Sequence, residues 1–256
     1  MVERRFDWKS KHDEKSRDYD VSAILRTGVK PVAKMWEEGT VLDQGSEGAC
    51  VGFGWMGEFL SQPVAPTPMP GKFSSQQYAN DIYKSAKQID EFPGEAYEGT
   101  SVLAGAKVMQ ARGFIKSYRW AFNLDSIRDA VIQEGPVVIG IPWKEGMYET
   151  GANGLVKVTG KSVGGHCLVL TGYDPAMKIG SRTYEVYRWR NSWGPSYGVN
   201  GSGYIKASDL AKLLKGVGEA CVPIGRQVPK TPMLGIPAAG SFWKTLGERV
   251  LTFVKR

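Results

Sequence analysis

Hydrophobic positions in the first half of the chain recur at three- and four-residue spacing, which is the period of an α-helix with one buried face. The pattern predicts helices over residues 49–61, 74–88, 101–112 and 125–134. Thr100 or Ser101 is a suitable N-cap for the third helix, and Gly113 lies just past its end. The first helix contains three glycines between residues 52 and 57, which close packing against a neighbouring element would explain.

Short apolar or alternating runs replace this pattern in the second half of the chain. They predict strands over residues 137–143, 167–173, 184–189 and 204–207, which are separated by Gly, Asn, Asp and Pro. Runs of this kind are typical of an antiparallel sheet or barrel. A mostly helical first half followed by a mostly β second half indicates the α+β class.

Three regions follow from composition: a charged arm over residues 1–30, a domain over 31–225 and a tail over 226–256. The tail begins as a Pro/Gly-rich linker and ends in a predicted basic helix with its apolar residues on one face. That helix is compatible with docking on its own domain, with binding a protein partner, or with lying on an anionic membrane surface.

Composition and charge exclude several classes of protein. The 256 residues are 42% hydrophobic and 23% charged, as in ordinary globular proteins. The net charge of +7 lies mostly in the tail, so the domain has no basic stripe and no nucleic-acid partner is expected. The sequence predicts no transmembrane helix and no signal peptide, and its three cysteines are too few for a disulfide scaffold. We expect a protein made in a reducing compartment, with a cytoplasmic or a phage/virion-associated location.

Cys50 and His166 are the candidate nucleophile and base. Cys50 begins the first predicted helix, where the partial positive charge of free backbone amides favours a thiolate. His166 follows two glycines at the mouth of a predicted strand, whereas His12 lies in the charged arm. Asn191 is suited to hold the far imidazole nitrogen, and the adjacent Trp193 can shield that bond from water. A thiol with a histidine elsewhere in the chain is a candidate catalytic pair.

Several short motifs, taken in order and spacing, resemble the papain family of cysteine peptidases in its shorter bacterial or phage-type form. The matching stretches are Asp43-Gln44-Gly45, Ala49-Cys50, Gly165-His166-Cys167, Asn191-Ser192-Trp193-Gly194 and Gly203-Tyr204-Ile205. The resemblance covers about residues 30–221. It implies a papain-like fold with a helical left lobe, an antiparallel β-barrel-like right lobe and an active-site cleft between the lobes.

The resemblance also implies peptide-bond hydrolysis through a Cys50 thiolate and a His166 imidazolium, oriented by Asn191, by way of an acyl-enzyme. The Gln44 side chain and the Cys50 backbone N–H would form the oxyanion hole. Two histidines and three scattered cysteines give no metal-ligand spacing, so no metal and no cofactor are expected. The implied partner is a peptide or protein substrate. The substrate-binding residues implied are Gly99, Gly165 and Trp193.

Departures from the family pattern shape two further expectations. Glu47 stands where disulfide-bonded members place a cysteine, so no disulfides are predicted, and Cys167 is expected to be a buried core residue facing away. Val51 stands where an aromatic residue usually follows the nucleophile, which leaves the subsites open, and Tyr197 stands where the family usually has a second Trp. Because the arm is shorter than the pro-region of secreted relatives, residues 1–30 are expected at most to pack beside the domain, without a conventional zymogen.

Two other functions stay open at this point. One is a non-catalytic structural or assembly protein on a peptidase scaffold, for example a virion component. The presence of Gln44, Cys50, His166 and Asn191 together argues against that function. The other is amidase or transferase chemistry on cell-wall peptides, which would use the same acyl-enzyme and differ only in the acceptor.

Overall fold

A computed structural model describes residues 4–10, 14–64, 73–92 and 97–229. The predicted C-terminal helix and His12 therefore lie outside the described residues. In the described part, no helix is long and apolar enough to span a membrane.

Five α-helices form in the described residues. They are α1 (Cys50–Phe59), α2 (Ser75–Lys87), α3 (Val102–Ala111), α4 (Leu124–Gln133) and α5 (Ala207–Leu214). The first four match the predicted helices to within a few residues. Ser74 and Asn123 close capping boxes on α2 and α4, and Ser101 caps α3 by accepting from the Ala104 N–H. α5 was not predicted, because its eight residues directly follow a strand.

α1 is the central helix, and all ten of its residues are buried. Its glycines allow the close packing expected from the sequence. A Cβ at Gly52 would lie 2.2 Å from the carbonyl oxygen of Ala79 in α2. A Cβ at Gly54 would lie 2.8 Å from the sulfur of Cys167 in the sheet. The helix that carries Cys50 is therefore held against both the helical layer and the sheet.

Within the ranges that the structure describes, seven antiparallel strands form one sheet. They are β1 (Lys34–Met35), β2 (Ser117–Trp120), β3 (Val137–Lys144), β4 (Ser162–Ile179), β5 (Arg182–Arg190), β6 (Ser202–Lys206) and β7 (Glu219–Ile224). The strand order is β2-β7-β3-β4-β5-β6, with β1 paired to β4. The sheet is not closed, because β2 and β6 end the ladder without pairing to each other. The expected barrel-like lobe is thus an open sheet, and the α+β class holds.

Alternating residues of the sheet face two apolar cores. Val138, Cys167 and Val169 pack with the first three helices. Ile139 and Leu168, one position along on their strands, pack with α4 and α5 on the other face. This period-two alternation places His166 on the opposite face of β4 from Cys167.

Arg226, the first residue of the predicted tail, packs against the domain. The Arg226 guanidinium is almost fully buried, binds the carboxylate of Glu58 in α1 and donates to the carbonyls of Glu134 (2.8 Å) and Pro136 (2.7 Å). Arg226 thus joins the end of β7 to the helical layer and to the turn before β3.

Candidate active site

Cys50 is the first residue of α1, and its side chain is fully buried. The backbone groups of Cys167 and Asp7 hydrogen-bond its sulfur, so the thiol lies against the residue that follows His166. Burial raises the pKa of the Cys50 thiol to about 11, and these backbone hydrogen bonds lower it only in part. In the described state the thiol is therefore neutral, although its position at a helix N-terminus favours a thiolate.

His166 lies in β4 with one ring nitrogen held. Its Nε2 is 2.8 Å from Oδ1 of Asn191, which also accepts from the Ser192 N–H at 2.8 Å. A backbone N–H can only donate, so the Asn191 atom facing both groups is the oxygen and Nε2 carries a hydrogen. Nδ1 has no hydrogen-bond partner among the described residues. The neutral imidazole therefore presents an unprotonated Nδ1, as a general base must.

Aromatic rings enclose the imidazole. The ring centroids of Trp143 and Trp193 lie 4.8 and 5.1 Å from that of His166, and Phe6 of the arm lies at 5.9 Å. Burial lowers the pKa of His166 to about 4, with the nearby Arg4 charge lowering it further and the Asn191 hydrogen bond opposing both. At neutral pH the described pair is thus a thiol and a neutral imidazole.

Gln44 lies in the turn before α1 and is positioned from both ends of its amide. Its Oε1 accepts from the Ser192 hydroxyl at 2.7 Å, and its Nε2 donates to the carbonyl of Glu47 at 2.8 Å. The first contact joins the turn that carries the thiol to the segment that carries Asn191. Since a primary amide has two N–H groups, Gln44 retains one donor for a ligand beside Cys50.

The N-terminal arm lies across the cleft between the thiol and the imidazole. The Trp8 N–H donates to the Gly165 carbonyl at 2.8 Å. On the other side, the Thr100 N–H donates to the Asp7 carbonyl at 3.2 Å, and the Lys9 N–H donates to the Thr100 carbonyl at 3.1 Å. The expectation that the arm would at most pack beside the domain is wrong for residues 4–9. These residues pair with Gly165 on one side of the cleft and with Thr100 on the other, and they cover Cys50.

Gly99 and Gly165 are both arm contacts. A Cβ at Gly99 (φ +85°) would lie 1.6 Å from the Asp7 carbonyl oxygen, and a Cβ at Gly165 would lie 2.4 Å from the Trp8 carbonyl oxygen. Only glycine allows the arm backbone to approach each wall this closely. The two glycines therefore line a groove that already holds an extended peptide segment.

Arg4 fastens the start of the described arm over Trp193. Its guanidinium donates to Asp43 at 2.6 Å and to the Trp193 carbonyl at 3.0 Å, and lies 5.7 Å from the Trp193 ring. Sequence reasoning did not find this contact or the packing of Phe6 and Trp8. Their signal was two aromatic residues, two positions apart, within an otherwise charged segment.

The described cysteines are all free and buried. The Cys167 sulfur faces Gly54 of α1, on the opposite face of β4 from the His166 ring. Burial raises the pKa of both Cys167 and Cys221. Neither has the helix N-terminal position of Cys50.

Comparison with solved structures identifies the fold. The chain superimposes on xylellain, a cysteine protease from Xylella fastidiosa, with a TM-score of 0.63 and 15% identity, covering 89% of this chain and 100% of that one. It is similar to digestive procathepsin L 3 of the Tenebrio molitor larval midgut (TM-score 0.57, 19% identity, 78% and 72% covered). It is also similar to bromelain from Ananas comosus (TM-score 0.52, 15% identity, 77% and 100% covered).

These likenesses define a two-walled cysteine protease fold of mixed helix and antiparallel sheet. Residues 74–221, more than half of the chain, match the family model of papain family cysteine proteases. The chain belongs to that family and is a cysteine peptidase, a hydrolase of peptide or protein substrates. A search of curated proteins found no match.

Proposed function

We propose that the protein hydrolyses peptide bonds with Cys50 as nucleophile and His166 as general base and acid. The observation that carries this proposal is the His166 ring. Asn191 holds its Nε2, its Nδ1 has no partner among the described residues, and the backbone of the next residue, Cys167, contacts the sulfur of Cys50 at the start of α1. A thiol and an imidazole in this relation are the two groups that thiol acyl transfer requires.

The reaction proceeds through an acyl-enzyme. Nδ1 of His166 takes the proton of the Cys50 thiol, and the sulfur attacks the substrate carbonyl carbon. The oxyanion that forms accepts from the Cys50 backbone N–H and from the free amide N–H of Gln44. The imidazolium then protonates the departing amine as the C–N bond breaks. Loss of one oxyanion donor costs roughly 3 kcal/mol of transition-state stabilisation.

Hydrolysis of the thioester completes the cycle. His166 deprotonates a water molecule that attacks the acyl carbon, and the Cys50 sulfur leaves and is reprotonated. Asn191 acts through His166 as a positioning residue, because it holds the tautomer with Nδ1 unprotonated. Trp193, packed against the imidazole, keeps water away from this hydrogen bond.

Substrate binding requires the arm to leave. Residues 4–9 use the Gly165 carbonyl and the Thr100 backbone, which an extended substrate would use in turn. Departure of the arm also admits water, which removes most of the burial that raises the Cys50 pKa and lowers the His166 pKa. The helix N-terminus and the neighbouring imidazole then favour the thiolate–imidazolium pair.

The test is stoichiometric labelling together with turnover. A thiol-directed peptidyl label should modify Cys50 once per chain, whereas Cys50→Ser should not react and should not cleave a peptide library. Cys221→Ser is the matched control, because it removes an equally buried thiol outside the cleft and should retain both properties. Equal labelling of Cys50 and Cys221, with no cleavage, would instead favour a non-catalytic scaffold.

A further inference from the structure

A cavity of about 360 Å³ lies outside the active-site cleft. It is bounded by the loop between β2 and α4, the C-terminal end of α5 and the start of β7. Cys50, His166 and Gly99 do not line it. Its volume falls within the range of about 300–1,000 Å³ that is typical of small-molecule sites. We refer to this space as the Phe122 cavity.

The walls of the Phe122 cavity are mainly apolar. Most of the apolar side chains that form them come from the loop after β2, from α4 and from α5, and they include Trp120, Phe122, Leu124, Ile127 and Leu214. Phe122 is 39% exposed, whereas Trp120 and Ile127 are buried. An apolar ligand that covers the Phe122 ring would remove it from water, which favours binding.

Two cations lie at the rim of the cavity. Arg17 belongs to the arm, where residues Glu14–Tyr19 form a short 3-10 helix, and Lys215 follows α5. The guanidinium carbon of Arg17 lies 5.8 Å from the centre of the Phe122 ring, a contact that holds this charge beside the cavity. Both side chains are exposed, and neither forms an ion pair in the part of the chain that the structure describes. The two charges are therefore available to an anion.

The acidic residue that contributes to the cavity wall does not oppose an anion. Glu219 is 2% exposed, and its Oε1 accepts from the Trp8 indole N–H at 2.7 Å. Its Oε2 has no hydrogen-bond partner among the described residues. Burial raises the pKa of Glu219 to about 8, so the group is mostly protonated at neutral pH. A protonated carboxyl group adds no negative charge and can donate to an oxygen atom.

Charge at the rim also distinguishes a foreign ligand from the tail of this chain. Residues 230–256, which lie outside the described residues, contain apolar positions but carry five cations and one anion. Like charge at Arg17 and Lys215 disfavours their entry, whereas a carboxylate is complementary to both cations.

We propose that the Phe122 cavity binds a small molecule with an apolar body and one carboxylate group, and that Arg17 and Lys215 pair with this carboxylate at the rim. Because Arg17 belongs to the arm and Lys215 to the domain, the bound carboxylate connects the two. The proposal does not depend on the peptidase reaction, since the cavity shares no catalytic residue with the cleft.

The test compares two probes that differ in charge. Isothermal titration calorimetry on the full-length chain measures the affinity for naphthylacetate and for naphthylacetamide, which has the same ring but is neutral. At low ionic strength the carboxylate should bind about tenfold more tightly, because its two ion pairs add to the apolar burial that both probes share. Equal affinities, or no saturable binding of the carboxylate, would overturn the proposal.

Charge-removing variants assign the preference to the rim. Arg17→Gln combined with Lys215→Gln should preserve the fold, because both side chains are exposed, and should reduce the carboxylate-to-amide ratio to within about twofold. Lys212→Gln is the matched control, because it removes another cation of α5 that pairs with Asp209 and does not line the cavity. A ratio that survives the double substitution, or that falls equally in Lys212→Gln, would overturn the assignment.

A third variant tests the location of the bound ring. Ala211 of α5 is half-buried and lines the cavity, so Ala211→Phe places a ring in the space that the ligand would occupy. This variant should weaken the binding of both probes by about tenfold or more, since a filled cavity excludes a second ring. It should leave the rate of Cys50 alkylation unchanged. Unchanged affinities in folded Ala211→Phe would show that the probes bind elsewhere and would overturn the inference.

Discussion

Truncation of Trp8 should expose the nucleophile. In the described state the arm covers Cys50, and Trp8 is its most deeply buried side chain, with 6% exposure and a 2.7 Å hydrogen bond to Glu219. Trp8→Ala removes the indole and this hydrogen bond but leaves both walls of the cleft unchanged. The arm should then leave the cleft far more often.

The magnitude follows from the burial. Truncating a buried Trp or Phe to Ala costs about 3–5 kcal/mol in a protein core. Even the lower end of that range, about 3 kcal/mol, favours arm release by a factor of about 100, since every 1.4 kcal/mol is tenfold. The fraction of molecules with the arm out of the cleft should rise by this factor, and the rate of any reaction that requires arm release should rise with it.

The assay is the rate of Cys50 alkylation by a small thiol reagent, followed by peptide mass spectrometry on the folded full-length chain. Trp8→Ala should increase the Cys50 rate by tens-fold or more and leave the Cys221 rate unchanged, since Cys221 is buried in β7 between β2 and β3. Trp36→Ala is the matched control, because Trp36 packs in the other core and donates to the Val131 carbonyl. A Trp8→Ala rate within twofold of wild type would refute this account of the arm.

Three further predictions concern the hydrogen bond that orients the His166 ring, the ion pair of Arg226, and the pH dependence of stability. Asn191→Ala should lower kcat by about 10- to 100-fold with little change in KM, because a hydrogen bond to a charged partner contributes roughly 1.5–3 kcal/mol; steady-state kinetics of the folded variant check this, and an unchanged kcat would contradict it. Arg226→Ala should lower the free energy of unfolding by about 3–5 kcal/mol in denaturant titrations, because it leaves Glu58 as an unpaired buried carboxylate; a loss below about 1 kcal/mol would oppose this. The pKa of His166 is about 4 in the folded chain and 6.5 in the unfolded chain, so the unfolded chain binds more protons between these pH values. The free energy of unfolding should therefore fall by about 3 kcal/mol as pH drops from 6.5 to 4. Thermal unfolding measured at each pH checks this, and His166→Phe should lack this part of the pH dependence.

The helices and the main strands could be predicted because their signals are local. A capping residue such as Ser101 and an apolar run such as that of β3 act within a few residues of the chain. The order of Cys50, His166 and Asn191 was equally visible, since each lies beside its own short motif. The strands β1, β2 and β7 were not predicted, because two, four and six residues carry too little periodicity to be recognised.

The position of the arm could not be read from local patterns. Phe6 and Trp8 lie in a charged segment, and their location depends on partners such as Gly140 and Glu219, more than a hundred residues away. The protonation state of Cys50 could not be read from local patterns for the same reason, because it depends on where the arm lies. A helix N-terminus predicts a thiolate at Cys50, but burial by the arm outweighs that effect in the described state.

The pH dependence of Cys50 alkylation in the Trp8→Ala chain tests the central claim most directly. With the arm released, a thiolate–imidazolium pair predicts rapid alkylation that persists below pH 7, well under the ordinary thiol pKa of about 8.5. His166→Ala, in the same background, should lose this reactivity at low pH. A single ionisation near the ordinary thiol value, unchanged by His166→Ala, would contradict the assignment of Cys50 and His166 as the catalytic pair.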